Sequence, residues 1–328
     1  MPEAVPWYRY VAAPMVDQSD LAFRLTTVKY GATATWTQMY HSHEVLHTPD
    51  VLAHARHELE LGRYAPENVH PSTGMPAPQI VQLAGNDPAH LVEAARRFEP
   101  WADGFDLNLG CPQTRAQRGH YGGYLLHRKD WDQVEACIRA LAYSVRVPIT
   151  AKLRLCDNAP DTSKLAVRLA EAGAQVITLH ARHVAPNRRR AGPAKLAFVR
   201  EVVEALEAHT LHVSQSGGRT AVLSNGNVRC ASDIAANLAF TRADGIMIGE
   251  PLLMHPDLFV GGHEAPLSTF LHLSAQYPTA PLVHVQQHVR AMLRSMPPSR
   301  ETRALADVLL GASDIEGMLY ELHRYKGE

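Results

Sequence analysis

The chain has 328 residues, of which 46% are apolar and 20% charged, and its net charge is −1. That is enough to bury a barrel-sized core, with or without a small partner domain, and the composition is that of an ordinary globular protein. Near-neutrality excludes a chain that is basic throughout, so any nucleic-acid-binding surface must be local.

Strand-like apolar runs fall at 10–15, 32–38, 79–84, 104–109, 149–155, 175–181, 221–225 and 245–249. The run at 104–109 alternates like a half-buried strand. Helical stretches lie between them. The first, 19–29, opens on Ser19 and Asp20, both able to cap. The next, 88–98, follows Asp87 with proline at its first position. Further helices are expected at 131–143, at 162–172 with a stop at Gly173, at 195–208 and at 232–240. Segments 62–78 and 210–219 read as surface loops. Eight strands alternating with helices in about 250 residues fit an α/β fold, the parallel eight-stranded (β/α)8 TIM barrel. A doubly wound open sheet is the alternative, but no GxGxxG follows the first strand. Past residue 262 the strand pattern stops. Amphipathic helices are expected at 284–295 and 301–324, broken apart at Pro297-Pro298. The chain thus divides into a barrel, 1–262, and a C-terminal helical domain, 263–328.

Four scattered cysteines without a CxxC suit free thiols in a reducing compartment. No apolar run reaches membrane-spanning length, and the first strand begins too early for a targeting peptide, so cytosol or nucleus is the expected location. His41 and His43 would share a face if a strand held both, but no third ligand backs them, and a metal site there is disfavoured.

Catalytic residues of parallel barrels sit at the carboxyl ends of the strands. Those ends carry Pro14 and Met15, Gln38, Gln82, Asn108 with Cys111 beyond, Lys152 and Arg154, His180 and Arg182, Asn225-Gly226-Asn227, and Gly249. Lys152 in an apolar strand is costly without a role. Glycines in the last two loops let backbone N–H groups approach an anion, the usual phosphate site of such barrels. A thiol, a lysine, a histidine and a phosphate cradle on one rim suit a phosphorylated redox cofactor. Lysine can stabilise charge on a reduced flavin, and a thiol with a pKa of about 8.5 can supply a proton. Gly119–Gly123 would form a lid beside Cys111. Arg115, Arg118, Arg182 and the run Arg188-Arg189-Arg190 would supply the local basic surface.

In order along the chain, Val11-Ala12-Ala13-Pro14-Met15-Val16-Asp17, Val81-Gln82-Leu83-Ala84-Gly85, Asn108-Leu109-Gly110-Cys111-Pro112-Gln113, Ala151-Lys152-Leu153-Arg154-Leu155, His180-Ala181-Arg182, Ser224-Asn225-Gly226-Asn227-Val228 and Met247-Ile248-Gly249 resemble the tRNA-dihydrouridine synthases, and most of all the eukaryotic subgroup acting on tRNA positions 16 and 17. The resemblance implies an FMN-binding barrel, a helical tRNA-recognition domain, NADPH (or NADH) as reductant, and a monomer acting on tRNA away from membranes. It implies hydride delivery from FMN to C6 of a uridine and protonation of C5 by Cys111. Pro14, Met15, Gln82, Asn108, Lys152 and His180 would contact the flavin. Asn225, Gly226, Asn227, Gly249 and Glu250 would lie at its phosphate, and Arg154, Arg182, Arg115 and Arg118 would face substrate. The sequence departs from the family at Glu250, where arginine is usual, at Ala181 and His183, and at Gln38, where glutamate is common. A flavin barrel acting on a small pyrimidine-like molecule and a non-catalytic tRNA-binding descendant are the competing readings.

Overall fold

A computed structural model describes residues 5–185, 192–213, 219–261 and 266–327. Eight parallel strands close into a barrel in chain order. β1 (Tyr10–Ala12) leads through α1 (Leu21–Lys29) to β2 (Ala34–His41), which is followed by α2 (Ser42–His47) and α3 (Pro49–Tyr64). Then come β3 (Gln79–Ala84), α4 (Pro88–Phe98), β4 (Gly104–Leu109), the short α5 (Thr114–Arg118) and α6 (Trp131–Ser144). β5 (Ile149–Leu155), α7 (Asp161–Glu171), β6 (Val176–His183), α8 (Ala197–Val213), β7 (Ala221–Asn225), α9 (Ala231–Thr241), β8 (Gly245–Ile248) and α10 (Glu250–Met254) complete the barrel. β8 pairs with β1, Tyr10 opposite Ile246, which closes the ring.

The side-chain period of two sorts each strand between two cores. Outward residues such as Phe105 and Leu107 on β4, or Ala151 and Leu153 on β5, pack beneath the helices. Val11, Ala34, Trp36, Ile80, Val176, Leu223 and Met247 fill a separate apolar cluster inside the barrel, and Trp7 stacks on Trp36 beside it. Further along β3, β4, β5 and β6 the inward positions become polar: Gln82, Asp106 and Asn108, Thr150 and Lys152, Thr178 and His180. β4 is therefore buried on both faces rather than half-buried.

Helix starts follow local capping. Asp20 accepts from the Phe23 N–H at 3.1 Å, and Asp87 accepts from that of His90 at 2.9 Å. Helix α3 was not expected from the sequence, because its buried face, Ala55, Glu58, Leu59 and Gly62, holds only one large apolar side chain. It reaches into the expected loop at 62–78, whose next residues form a 3-10 turn over Pro66–Asn68. The strand expected at 10–15 ends at Ala12, and Pro14 and Met15 lie in the loop beyond it.

Among the described residues the C-terminal helices number four, not two: α11 (Pro266–Gln276), α12 (Leu282–Leu293), α13 (Arg300–Gly311) and α14 (Ile315–Lys326). The run expected at 301–324 breaks at Ala312, and Asp314 recaps α14 by accepting from the Gly317 N–H at 2.7 Å. These helices are tied to the first third of the barrel. His288 on α12 meets the Asp20 carboxylate at 2.7 Å, flanked by the rings of Phe23 and Phe270. Thr279 donates to Glu58, which pairs with Arg24, and Tyr277 donates to Glu67. The boundary placed at residue 262 and the arginines at 188–190 lie outside the described residues. Among the described residues no helix is long and apolar enough to cross a membrane.

Candidate active site

A cavity of about 1290 Å³ opens at the carboxyl ends of the strands. Of the residues singled out from the sequence, Pro14, Met15, Gln82, Asn108, Cys111, Lys152, Arg154, His180, Arg182, Asn225, Gly226, Asn227, Gly249 and Glu250 all line it. Arg115 and Arg118 do not. The Arg115 guanidinium is held by the Tyr121 hydroxyl and the Glu44 carboxylate, and Arg118 is exposed on α5. Gln38 is also absent from the lining, and Met39 takes its place. The cause is an irregularity in β2 between Trp36 and Met39. One extra residue there reverses the alternation, so counting by twos from Trp36 arrives at the wrong side chain. β2 ends at His41 while His43 belongs to α2, so the two histidines share no strand face.

Cys111 sits just past the tip of β4. Its N–H and that of Gly110 both donate to Asn108 Oδ1, at 2.9 and 3.0 Å. The next segment packs against it: the Gly123 N–H donates to the Cys111 carbonyl at 3.1 Å. Gly122 has a φ of 65° and lies so close that an added Cβ would be 2.9 Å from that of Cys111. Tyr121, Gly122 and Gly123 are buried. The expected lid is thus a wall that fixes the thiol loop, and glycine is required because any side chain would collide. Burial pushes the thiol above its ordinary pKa, so Cys111 is protonated at neutral pH and able to act as an acid.

Lys152 is half-buried on β5 and makes no hydrogen bond with another described residue. Burial, then the charge of Arg154, pushes its ammonium down to about 8, against the opposing pull of Asp106. His180, one strand over, has Nε2 at 2.7 Å from an Arg182 nitrogen. A guanidinium can only donate, so Nε2 accepts and the ring carries its proton on Nδ1. Burial, then the charges of Lys152, Arg154 and Arg182, holds it well below the usual histidine value, so it is neutral. Arg154 is a strut: it donates to the carbonyls of Gly110 and His183, and burial followed by Arg182 lowers its pKa to about 10.

The asparagines beyond β7 have their side chains engaged elsewhere. Asn225 donates to the Met247 carbonyl, and Asn227 bonds both to the main chain of Ala194 and to Arg182. That leaves main-chain groups to meet an anion there, on a turn where Gly226 and Asn227 have φ of 124° and 58°. Arg229, which the sequence reading missed, also lines the cavity from this loop. Its guanidinium forms no hydrogen bond or ion pair with a described residue, and its charge helps to lower the Asp233 carboxyl. Position in the chain gave no signal for it, since it lies past the strand end and the turn.

The family model for dihydrouridine synthase (Dus) matches residues 11–315. The chain belongs to the dihydrouridine synthase family. Among curated members it is 33% identical over 284 residues to the mouse tRNA-dihydrouridine(16/17) synthase [NAD(P)(+)]-like protein, covering 86% of this chain and 54% of that one. It is 32% identical over 251 residues to the Saccharomyces cerevisiae tRNA-dihydrouridine(16/17) synthase [NAD(P)(+)], covering 76% and 53%. This dihydrouridine synthase chain therefore spans about half the length of those relatives. A mouse tRNA-dihydrouridine(20a/20b) synthase-like protein matches at 27% identity, over 89% of this chain and 82% of its own. Of solved structures, a 2-naphthoyl-CoA reductase superposes with a TM-score of 0.55 at 12% identity, covering 76% of this chain and 49% of that one. A Rhizobium histamine dehydrogenase superposes with a TM-score of 0.52 at 13% identity, covering 81% and 49%. These two likenesses concern the barrel fold.

Proposed function

We propose that this dihydrouridine synthase chain reduces the C5–C6 double bond of a uridine in tRNA, with FMN in the barrel mouth and NAD(P)H as the source of electrons. The observation that carries the reading is one cavity gathering a protonated thiol, a lysine without a hydrogen bond to any described residue and a neutral imidazole donor. The donor set fits the cofactor. Lys152 and the Nδ1–H of His180 suit the electron-rich edge of a reduced ring, and the Gly226–Asn227 turn with Arg229 suits a phosphate. FMN, once reduced by NAD(P)H, supplies the hydride for C6.

The chain's own residues do the rest. Cys111 gives its proton to C5 as C6 gains hydride, and the resulting thiolate takes a proton from water. Lys152 offsets negative charge beside the ring. Asn108 holds the thiol loop, Arg154 braces it from the side, and Pro14 and Met15 form part of the wall. A uracil stacked within tRNA cannot reach this depth, so the base is turned out into the cavity. Glu250 is exposed at the phosphate end, where its charge opposes an anion, and Arg229 offsets it. We assign catalysis to residues 1–262 and tRNA recognition to the helices of 263–328. The two relatives of highest identity named above are 16/17 synthases by name, and we assign the same positions here. The acting form is a monomer in the cytosol or nucleus.

The test is direct. Purified protein should be yellow or take up FMN, bleach with NADPH, and form dihydrouridine in unmodified tRNA. A protein that cannot be loaded with FMN overturns the reading.

A further inference from the structure

We propose that Asp106 is a positioning residue for Cys111, acting through a one-way chain of hydrogen bonds that dictates how the amides of Gln82 and Asn108 are turned. Asp106 is fully buried inside the barrel and does not line the cavity. Its Oδ1 accepts from the Thr150 hydroxyl at 2.5 Å and its Oδ2 from Gln82 Nε2 at 2.7 Å. Gln82 is left with Oε1 towards Asn108, whose Nδ2 donates to it at 2.8 Å. Asn108 is left with Oδ1, and that oxygen holds the N–H groups of Gly110 and Cys111.

Every bond in the chain points the same way. A carboxylate can only accept, and a main-chain N–H can only donate, so the two ends impose one polarity on the two amides between them. Turning either amide over sets N–H against N–H at one joint and oxygen against oxygen at the other. Burial pushes Asp106 up to about 6, against the hydrogen bonds of Thr150 and Gln82 and the charge of Lys152. It is therefore ionised, and accept-only, at neutral pH.

Burying a carboxylate is expensive, and an apolar side chain in its place would cost the barrel less. The arrangement makes sense if the polarity itself is needed. What it serves rests on the function proposed above, where Gln82 and Asn108 face the flavin. The chain of bonds to Cys111 stands without that reading.

The test is a charge-relocation cycle read by the thiol. A Cys230→Ser parent removes the exposed cysteine, leaving Cys137 and Cys156 buried and unreactive. Alkylation of Cys111 by iodoacetamide is followed by peptide mass spectrometry. Gln82→Glu sets a carboxyl against Asp106. At low pH a proton shared by the pair lets position 82 donate to Asp106 and keeps the polarity. As pH rises towards about 9 the proton is lost, the two carboxylates repel, and alkylation should run about tenfold faster than in the parent. Adding Asp106→Asn rebuilds the polarity, because the carboxylate introduced at position 82 can accept both from the new amide at position 106 and from Asn108. The double variant should bring the rate back to within about threefold of the parent. Asp106→Leu should also react faster than the parent. The proposal is overturned if Gln82→Glu alkylates at the parent's rate throughout about pH 6 to pH 9, or if the double variant reacts no more slowly than Gln82→Glu at the pH where that variant is fast. Should Asp106→Leu not fold, the cycle still decides. Failure of the parent to take up FMN would remove the proposed activity and leave this readout intact.

Discussion

Arg182 donates to Nε2 of His180 across 2.7 Å, and this single contact decides which nitrogen of the imidazole carries the proton. His180 is held well below the ordinary histidine value, so it remains neutral while an unfolded chain would take up a proton near pH 6.5. The unfolded state then binds more protons, and stability falls as pH drops through about 6.5. Arg182→Met removes one of the repelling cations and should raise the His180 pKa. Histidine NMR across about pH 5 to pH 8 checks both statements. A wild-type His180 that titrates near 6.5 would contradict them.

Lys152 should set the alkaline limit of cofactor binding. Its ammonium sits at about 8, so the charge is present at neutral pH and fades above that value. FMN affinity, followed by flavin fluorescence quenching, should fall as pH rises through about 8 in the wild type. Lys152→Met should bind weakly at both ends of the range, with no such step.

Arg229 should matter for the phosphate and not for the ring. Arg229→Ala is expected to weaken FMN binding about tenfold, the worth of one charge-assisted contact, and to leave riboflavin binding unchanged. Equal losses for the two flavins would place Arg229 elsewhere than at the phosphate.

Gly122→Ala should damage the thiol loop. A φ of 65° alone costs an alanine about 1–2 kcal/mol, and the contact with Cys111 adds to it. The expected result is a lower melting temperature and a large loss of uridine reduction. Gly311→Ala is the control: nothing lies within 4 Å of its added carbon, and it should be neutral or slightly stabilising.

Asp20 carries two loads, the start of α1 and the buried ring of His288. Asp20→Ala should cost about 1 kcal/mol for the cap and a further 1–3 kcal/mol for the unsatisfied imidazole. Burial alone would raise the Asp20 carboxyl, but the charge and hydrogen bond of His288 outweigh it and hold the pKa below the usual value. This contribution is present above about pH 4 and is lost as pH falls further. Limited proteolysis should then cut between the barrel and α11 more readily.

Most of the barrel was legible because its strands are short, continuous apolar runs bounded by turn residues. β3, β4, β5 and β7 fall where the apolar run marks them. The polar strand ends were legible for the same reason, since a lysine or histidine stands out against such a run. The hidden features depend on contacts between distant segments. Counting along β2 cannot show that it is irregular before Met39. The polar face of α3 conceals a helix whose few buried residues meet α1 and β3. Nor can the chain show that Arg115, read as facing substrate, is tied to Glu44 and Tyr121 beside the cavity rather than in it.

The pair of Asp20 and His288 lies 268 positions apart in the chain. At a translation rate of about 5–20 residues per second, Asp20, waiting beside Arg24 and Glu58, lacks its partner for roughly 10 to 60 seconds after it leaves the ribosome. β1 likewise waits for β8 before the ring can shut. Half-made chains must therefore expose an open sheet edge and an uncovered α1, the interval in which chaperones would find this protein.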